Sequence, residues 1–326
     1  MWLNEEWYNG KLGQVSHYAT NLEAVVASYL PKVDAKDKAL GAFLSTLPEI
    51  PIPIIEVLEG LCLDVERSIV GFLALREFAE SRPPVRRQSL DILLQLCTHP
   101  DLKLRVMAIS TVKRWVPGSP MSEEVIGYGV SVLERLTTDK SSTAEITDRS
   151  EDVKMEVTET GDVGKETTEA ETETKPEQPR LSEVQSRFLT EVTPDTVRQH
   201  VELIFALSRR QQDLLDHIFK AYTRMIPEIQ DALESLLTPL IQSLGATPKL
   251  LDLLRHFPTG AEKLALRILS ILSSAGASPV LVNVVKGLMG ERDLDPKFVI
   301  PIIGQLDRVS LYSPLQFADD EVEQCD

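Results

Sequence analysis

Cysteine and histidine are the side chains that most readily bind metals or transfer protons near neutral pH, and in this chain they are scattered. The closest pair is Cys97 and His99. Cys97 belongs to an apolar helical stripe, and His99-Pro100 is typical of the turn after a helix, so a packing role is favoured over a metal site. His200 and His217 fall on separate predicted helices, where packed or solvated side chains are favoured over a joint functional role.

Motifs that build catalytic sites are missing from the sequence. It has no glycine-rich phosphate loop, no Gly-x-Ser-x-Gly, no His-Glu-x-x-His and no spaced cysteine pairs. We therefore predict that the protein is not an enzyme and uses no cofactor, metal or small-molecule substrate; an enzyme with a dispersed site is the least favoured alternative. The three cysteines indicate a reducing compartment. The lack of a run of about 18 apolar residues argues against a membrane span.

Positive charge is concentrated in one stretch of a chain whose net charge is −16. Residues 82–114 contain Arg82, Arg86, Arg87, Lys103, Arg105, Lys113 and Arg114, against Asp91 and Asp101. Along one edge of a helical stack they would form a basic ridge for an acidic peptide or, less favoured, RNA phosphates. The candidate partner-binding residues of this ridge are Arg82, Arg86, Arg87, Lys113 and Arg114. In the favoured alternative Arg86 and Arg105 form an internal ladder and the others are solvated. Trp115 beside the ridge either stacks on a base or packs at a helix end.

The elements that carry these residues are predicted to be helices. Apolar residues recur at the i, i+3, i+4, i+7 spacing of a helix with one buried face, and proline or glycine interrupts them at short intervals. The stripes are Leu90, Leu93, Leu94, Cys97; Leu215, Ile218, Phe219, Tyr222; Leu281, Val284, Val285, Leu288; Val299, Ile302, Ile303, Leu306; and the longer Leu233, Leu236, Leu237, Leu240, Ile241, Leu244. Residues 50–55 alternate like a strand, but Pro51 and Pro53 would remove ladder hydrogen bonds, so a helix start is predicted there. The predicted fold class is all-α.

An acidic segment interrupts the helical pattern. Residues 139–179 hold 13 acidic and 5 basic side chains and few large apolar ones. Such a segment cannot bury enough apolar surface to offset the entropy of ordering it, so we predict a disordered linker. Because half of the net charge lies there, the rest of the chain is only mildly acidic, which does not favour a binder of nucleic acid or anionic membranes.

An internal repeat favours a stack of helix pairs over a bundle. Val85-Arg86, with Ser89 and Leu93 after it, matches Leu104-Arg105, with Ala108 and Val112 after it. Asp101 precedes the second copy, where it can cap the helix and pair with an arginine of the stack. This pattern resembles a HEAT repeat.

The sequence thus predicts a HEAT/ARM-like helical-repeat solenoid in two lobes separated by the acidic linker. The predicted segments are 1–29, partly helical; 30–138, a HEAT-like lobe; 139–179, the linker; 180–308, a second helical lobe; and 309–326, a divergent acidic tail.

Several helical phrases resemble the C-terminal half of symplekin proteins. They are Leu61-Cys-Leu-Asp-Val-Glu-Arg67, Leu75-Arg-Glu-Phe78, Arg82-Pro-Pro-Val85, Leu94-Gln-Leu-Cys-Thr-His-Pro100, Ile109-Ser-Thr-Val-Lys-Arg-Trp-Val-Pro117 and Asp295-Pro-Lys-Phe-Val-Ile-Pro-Ile-Ile303. The resemblance implies a nuclear, non-catalytic scaffold of the machinery that cleaves and polyadenylates messenger-RNA precursors. It also implies docking of protein subunits related to the endonuclease. Within the second lobe, Val299, Ile302 and Ile303 are the candidate docking residues. The alternative from another class is a HEAT-type transport or trafficking adaptor that binds cargo peptides.

Overall fold

The structure is a computed structural model that describes residues 2–12, 17–34, 37–137, 193–274, 279–291 and 295–305. The predicted acidic linker, 139–179, and the predicted acidic tail, 309–326, lie outside these ranges. Within them the secondary structure is helical and contains no strand. The all-α prediction is therefore confirmed for the described part of the chain.

The helices are short and closely spaced. The α-helices are α1 Trp2–Lys11, α2 Tyr18–Tyr29, α3 Ala39–Ser45, α4 Ile52–Leu63, α5 Ser68–Ser81, α6 Pro83–Leu96, α7 Leu102–Val112, α8 Ser122–Glu134, α9 Pro194–Ser208, α10 Leu215–Tyr222, α11 Pro227–Leu236, α12 Thr238–Leu244, α13 Pro248–Arg255, α14 Glu262–Ser274 and α15 Pro279–Glu291. The 3-10 helices are Leu30–Lys32, Lys113–Trp115, Gln212–Leu214 and Pro296–Gln305.

Local chemistry sets where several helices begin. Pro51 is extended and precedes α4, as predicted for residues 50–55, because a proline at a helix start removes only an N–H that has no helical partner. The Asp101 side chain accepts from the N–H groups of Lys103 and Leu104 and so caps α7. Thr193 and Thr196 form a capping box at the start of α9.

The apolar stripes bury as predicted in most places. The stripes ending at Cys97, Tyr222 and Leu288 lie in the core, and so do the apolar positions of the internal repeat. The long stripe from Leu233 to Leu244 was wrongly predicted as one continuous pattern. It divides at Leu237 into α11 and α12, because Pro239 in the first turn of α12 has no N–H with which to continue α11.

Packing links helices that are near neighbours in sequence. Helices α4, α5, α6 and α7 pack in succession. Among the described helices, several also contact the next but one: α2 with α4, α3 with α5, α4 with α6, α5 with α7, α7 with α9, α8 with α10 and α9 with α11.

The segments predicted as two lobes share one hydrophobic core. The junction is the contact of α8 with α9 and of α7 with α9. Gly129 on α8 permits this close approach, since a Cβ atom there would lie 3.2 Å from a methyl carbon of Leu207. The boundaries at 30–138 and 180–308 stay predictions, but the two segments are in direct contact.

Candidate partner-binding site

The cysteine and histidine side chains of residues 97–99 are engaged locally. Cys97 is buried, its thiol donates to the carbonyl oxygen of Leu93 at 3.3 Å, and burial raises the pKa of the thiol well above its usual range. His99 Nδ1 accepts from the N–H of Asp101 at 3.0 Å, and burial lowers the pKa of its imidazole. Burial and the raised pKa make the Cys97 thiol a poor nucleophile.

His200 and His217 likewise lie in separate local environments. His200 Nδ1 donates to the carbonyl oxygen of Thr196 at 2.7 Å, one turn earlier on α9, and burial lowers the pKa of the ring. His217 is exposed on α10. Among the described residues no group of three or more potential ligands is arranged to hold a metal ion. None of the helices in the described part of the chain combines the length and apolar character needed to cross a bilayer.

The five candidate residues of the basic ridge lie at one edge of the molecule. Helix α6 starts where α5 ends, and Trp115 Nε1, just after α7, donates to Glu80 Oε1 near the end of α5 at 3.0 Å. The end of α5, the start of α6 and the end of α7 are therefore adjacent. Trp115 is buried in this contact, which supports the packing alternative given for it.

Two ridge arginines, Arg82 and Arg86, donate hydrogen bonds to backbone carbonyls of the fold. The Arg82 guanidinium donates to the carbonyl oxygens of Leu47 at 2.5 Å and Leu44 at 3.5 Å, and also to that of Ser45. They lie at the end of α3 and just beyond it, where the carbonyl oxygens of a helix lose their intrahelical donors; that of Leu44 also accepts from the N–H of Leu47 at 3.3 Å. Arg86 Nε donates to the carbonyl oxygen of Ala79 at 2.9 Å.

The ridge side chains that face solvent are fewer than the sequence suggested. Arg87 and Arg114 are exposed, and Lys113 is half-buried. The sequence reading missed that Arg209 and Arg210, at the end of α9, continue this edge: Arg210 Nη1 donates to the carbonyl oxygen of Val116 at 3.4 Å. The sequence signal that could have revealed them is the presence of basic residues at successive helix ends, because the negative end of the helix dipole stabilises positive charge.

Arg105 lies away from this edge. Consecutive helices α6 and α7 run in opposite directions, so the start of α7 is at the far end from the start of α6. Arg105 is 4% exposed and pairs with Glu202 at 2.6 Å. It also donates to the carbonyl oxygens of His99 at 2.6 Å and Pro100 at 3.1 Å. Asp101 was predicted to pair with an arginine of the stack. The structure instead pairs Arg105 with Glu202, 97 positions later.

We expect Arg82→Ala to lower the free energy of unfolding by about 2 kcal/mol, because it removes the guanidinium donor from the carbonyls of Ser45 and Leu47. Arg87→Ala is the matched control on the same edge, with an expected change within about 0.5 kcal/mol. Urea denaturation of both variants measures the difference. Equal stability of the two would show that the Arg82 bonds contribute nothing net.

The second candidate surface is the 3-10 helix Pro296–Gln305. Phe298 stacks on Phe257, which lies between α13 and α14, with ring centroids 6.1 Å apart and planes 6° from parallel. Ile302 is 1% exposed and belongs to the core, and Val299 is half-buried. The exposed side chains are Ile303, at 54%, and Ile300, at 62%. Leu281, Val284, Val285 and Leu288 are also core residues and present no docking surface.

A proline explains why the predicted α-helical stripe is wrong here. Pro301 lies inside the helix. In an α-helix its ring would clash with the carbonyl four residues earlier, and the backbone adopts the tighter 3-10 form. Side chains three residues apart eclipse in a 3-10 helix. Ile300 and Ile303 therefore share the outer face, while Val299 and Ile302 share a different one. Leu306, the last predicted member of the stripe, lies outside the described residues.

Comparison with known proteins gives a partial relationship. This chain is similar to the mRNA cleavage and polyadenylation specificity factor complex subunit pta1 of Schizosaccharomyces pombe, with 32% identity over 89 residues. The aligned stretch covers 23% of this chain and 13% of that protein. No protein-family model matches this chain, and no solved structure matches it.

Proposed function

We propose that this chain is a non-catalytic, nuclear scaffold of the machinery that cleaves and polyadenylates messenger-RNA precursors, and that it docks protein subunits of that machinery. The observation that carries the proposal is the partial similarity to a subunit of a cleavage and polyadenylation complex. The symplekin-like phrases of the sequence imply the same machinery.

The packing supports a scaffold made of helical repeats. Contacts of several helices with the next helix, and of others with the next described helix but one, are compatible with a solenoid in which helix pairs stack. A solenoid exposes more surface than a compact domain of the same length, and it offers separate sites to separate partners.

The exposed isoleucines Ile300 and Ile303 are the proposed docking face within residues 180–308. They project from a short helix that the Phe298 and Phe257 rings hold in place. Apolar side chains on an ordered backbone gain affinity on burial with little loss of conformational freedom. The tightly buried Ile302 supports this face from below and is not itself a contact.

The test is co-purification from the cells that make the protein. The tagged chain is expected to recover cleavage and polyadenylation subunits. The double variant Ile300→Glu/Ile303→Glu is expected to recover about tenfold less, because a charge opposes burial of this face. Ile52→Glu is the matched control, since Ile52 is an equally exposed isoleucine on α4. Thermal melting of each variant accompanies the recovery.

One result would contradict the proposed function, and another would contradict only the proposed docking face. Recovery of vesicle coats or import cargo by the folded wild-type chain, without polyadenylation subunits, would favour a transport adaptor. Undiminished recovery by a folded Ile300→Glu/Ile303→Glu variant would leave the scaffold function standing and exclude this face as its docking site.

A further inference from the structure

His99 lies in the turn between α6 and α7, and its ring accepts a hydrogen bond from the backbone. The N–H of Asp101 donates to His99 Nδ1 at 3.0 Å. A ring nitrogen can accept only while it carries no proton, so this bond requires the neutral imidazole. Asp101 caps α7, and the ring therefore lies at the positive end of that helix, where a further positive charge is unfavourable.

The backbone of the same turn positions Arg105. The carbonyl oxygens of His99 and Pro100 accept from Arg105 Nη1 at 2.6 and 3.1 Å. Arg105 Nε donates to the Glu202 carboxylate of α9 at 2.6 Å. A continuous series of hydrogen bonds therefore runs from the His99 ring through the turn and Arg105 to α9. A shift of the turn displaces the carbonyls that hold the Arg105 guanidinium against Glu202.

The surroundings of His99 oppose its protonation on balance. Burial lowers the pKa of the half-buried ring, Asp101 acts in the opposite sense, and the charge of Arg105 lowers the pKa further. Glu202 approaches the turn from α9, but its carboxylate is paired with Arg105. Tyr128 of α8 lies beside the turn, and burial raises the pKa of its hydroxyl, which is therefore uncharged near neutral pH.

A second histidine of the same junction responds to acid in the same direction. His200 lies on α9, and its Nδ1 donates to the carbonyl oxygen of Thr196 at 2.7 Å. Burial lowers the pKa of His200; its bond to the Thr196 carbonyl opposes this, and the charge of Arg135 on α8 adds to it. Because Nδ1 of His200 is already a donor, protonation does not break this bond. His99 is therefore the histidine whose protonation changes a contact.

We propose that the contact of α7 with α9 is proton-sensitive: when His99 takes up a proton from solvent, its bond to the Asp101 N–H breaks, the turn shifts and Arg105 holds Glu202 less tightly. Folding lowers the pKa of His99, so the folded chain binds fewer protons there than the unfolded chain. The resulting stability is complete above about pH 6.5, the ordinary pKa of histidine, and is lost as the pH falls through the lower folded pKa. This inference does not depend on the proposed function.

The first test is urea denaturation of the protein at about pH 7.5 and about pH 5.5, on either side of the ordinary histidine pKa. We expect the unfolding equilibrium constant to rise several-fold between the two. His99→Asn, whose Oδ1 can accept from the same N–H but does not titrate, is expected to lose at least about half of that rise. His217→Asn, which removes an exposed histidine on α10, is the matched control and is expected to keep it. An undiminished rise in His99→Asn, or an equal loss in the control, would overturn the proposal.

Amide hydrogen exchange, corrected for the intrinsic effect of pH, tests the route to α9. In the wild type, exchange in α9 is expected to accelerate several-fold on acidification while α5 stays unchanged, and His99→Asn is expected to suppress the acceleration. In Glu202→Ala, α9 is expected to exchange faster already near neutral pH, with no further dependence on His99, because the last bond of the series is gone. Acceleration confined to residues 98–101 would overturn the proposal, as would a His99 effect that persists in Glu202→Ala. Suppression by His200→Asn alone would overturn it in favour of His200.

Discussion

Gly71→Ala is expected to lower the free energy of unfolding by about 2–3 kcal/mol, although alanine is the better helix former. Gly71 lies on α5 where it crosses α4. A Cβ atom there would lie 2.7 Å from both Cys62 Sγ and the carbonyl oxygen of Leu58, and 2.8 Å from the N atom of Cys62. Two of these are backbone atoms of a buried helix, so relief requires the two helices to move apart.

Gly127→Ala is the matched control, with the opposite expected sign. Gly127 is exposed on α8, and a Cβ atom there would meet nothing within 4 Å. Its replacement is expected to stabilise the protein by up to about 1 kcal/mol through helix propensity alone. Urea denaturation at constant m-value measures both changes. If Gly71→Ala were as stable as the wild type, the α4–α5 crossing would be wider than the structure shows.

This crossing illustrates what the sequence could and could not predict. The buried stripe at Leu90, Leu93 and Leu94 follows from spacing alone, because one face of a surface helix must meet the core. Gly71 carries no such signal: its need for a hydrogen side chain arises from Leu58 and Cys62 on another helix, and only tertiary structure supplies that distance.

In the candidate sites, too, the sequence predicts some features and only the tertiary structure shows the others. The five ridge residues could be predicted to share an edge, because they flank helix ends. That Arg82 binds the last carbonyls of α3 could not, since Leu44 lies 38 positions earlier and offers only backbone atoms. The 3-10 helix around Ile300 and Ile303 was readable in principle, because Pro301 forbids the α-helical register on which the predicted stripe depends.

Glu202→Ala is expected to destabilise the protein by about 3 kcal/mol. Its carboxylate lies 2.6 Å from Arg105 Nε, and Arg105 is 4% exposed. Removing the carboxylate leaves a buried guanidinium with only the carbonyls of His99 and Pro100 as acceptors. A buried charge without its counter-charge costs more than the pair contributed. Glu202→Gln, which retains an acceptor oxygen, is expected to lose about half as much.

The exposed pair of Lys263 and Asp231 provides the control. Their side chains are 58% and 64% exposed, so Asp231→Ala is expected to cost less than about 1 kcal/mol, and added salt should reduce that cost further. The Glu202→Ala loss is expected to persist in salt, because Arg105 is shielded from solvent. A loss below about 1 kcal/mol would show that Arg105 reaches solvent when its partner is removed.

The shape of the unfolding curve tests whether the two segments that this ion pair joins unfold together. Arg105 lies on α7 and Glu202 on α9, and the core on either side of them is continuous. A shared core predicts one cooperative transition for both segments, in the wild type and in Glu202→Ala alike. Two separable transitions in the wild type would mean that the contact of α7 and α8 with α9 is too weak to couple them. The chain would then act as two independently folding docking units, as the predicted boundaries at 30–138 and 180–308 imply.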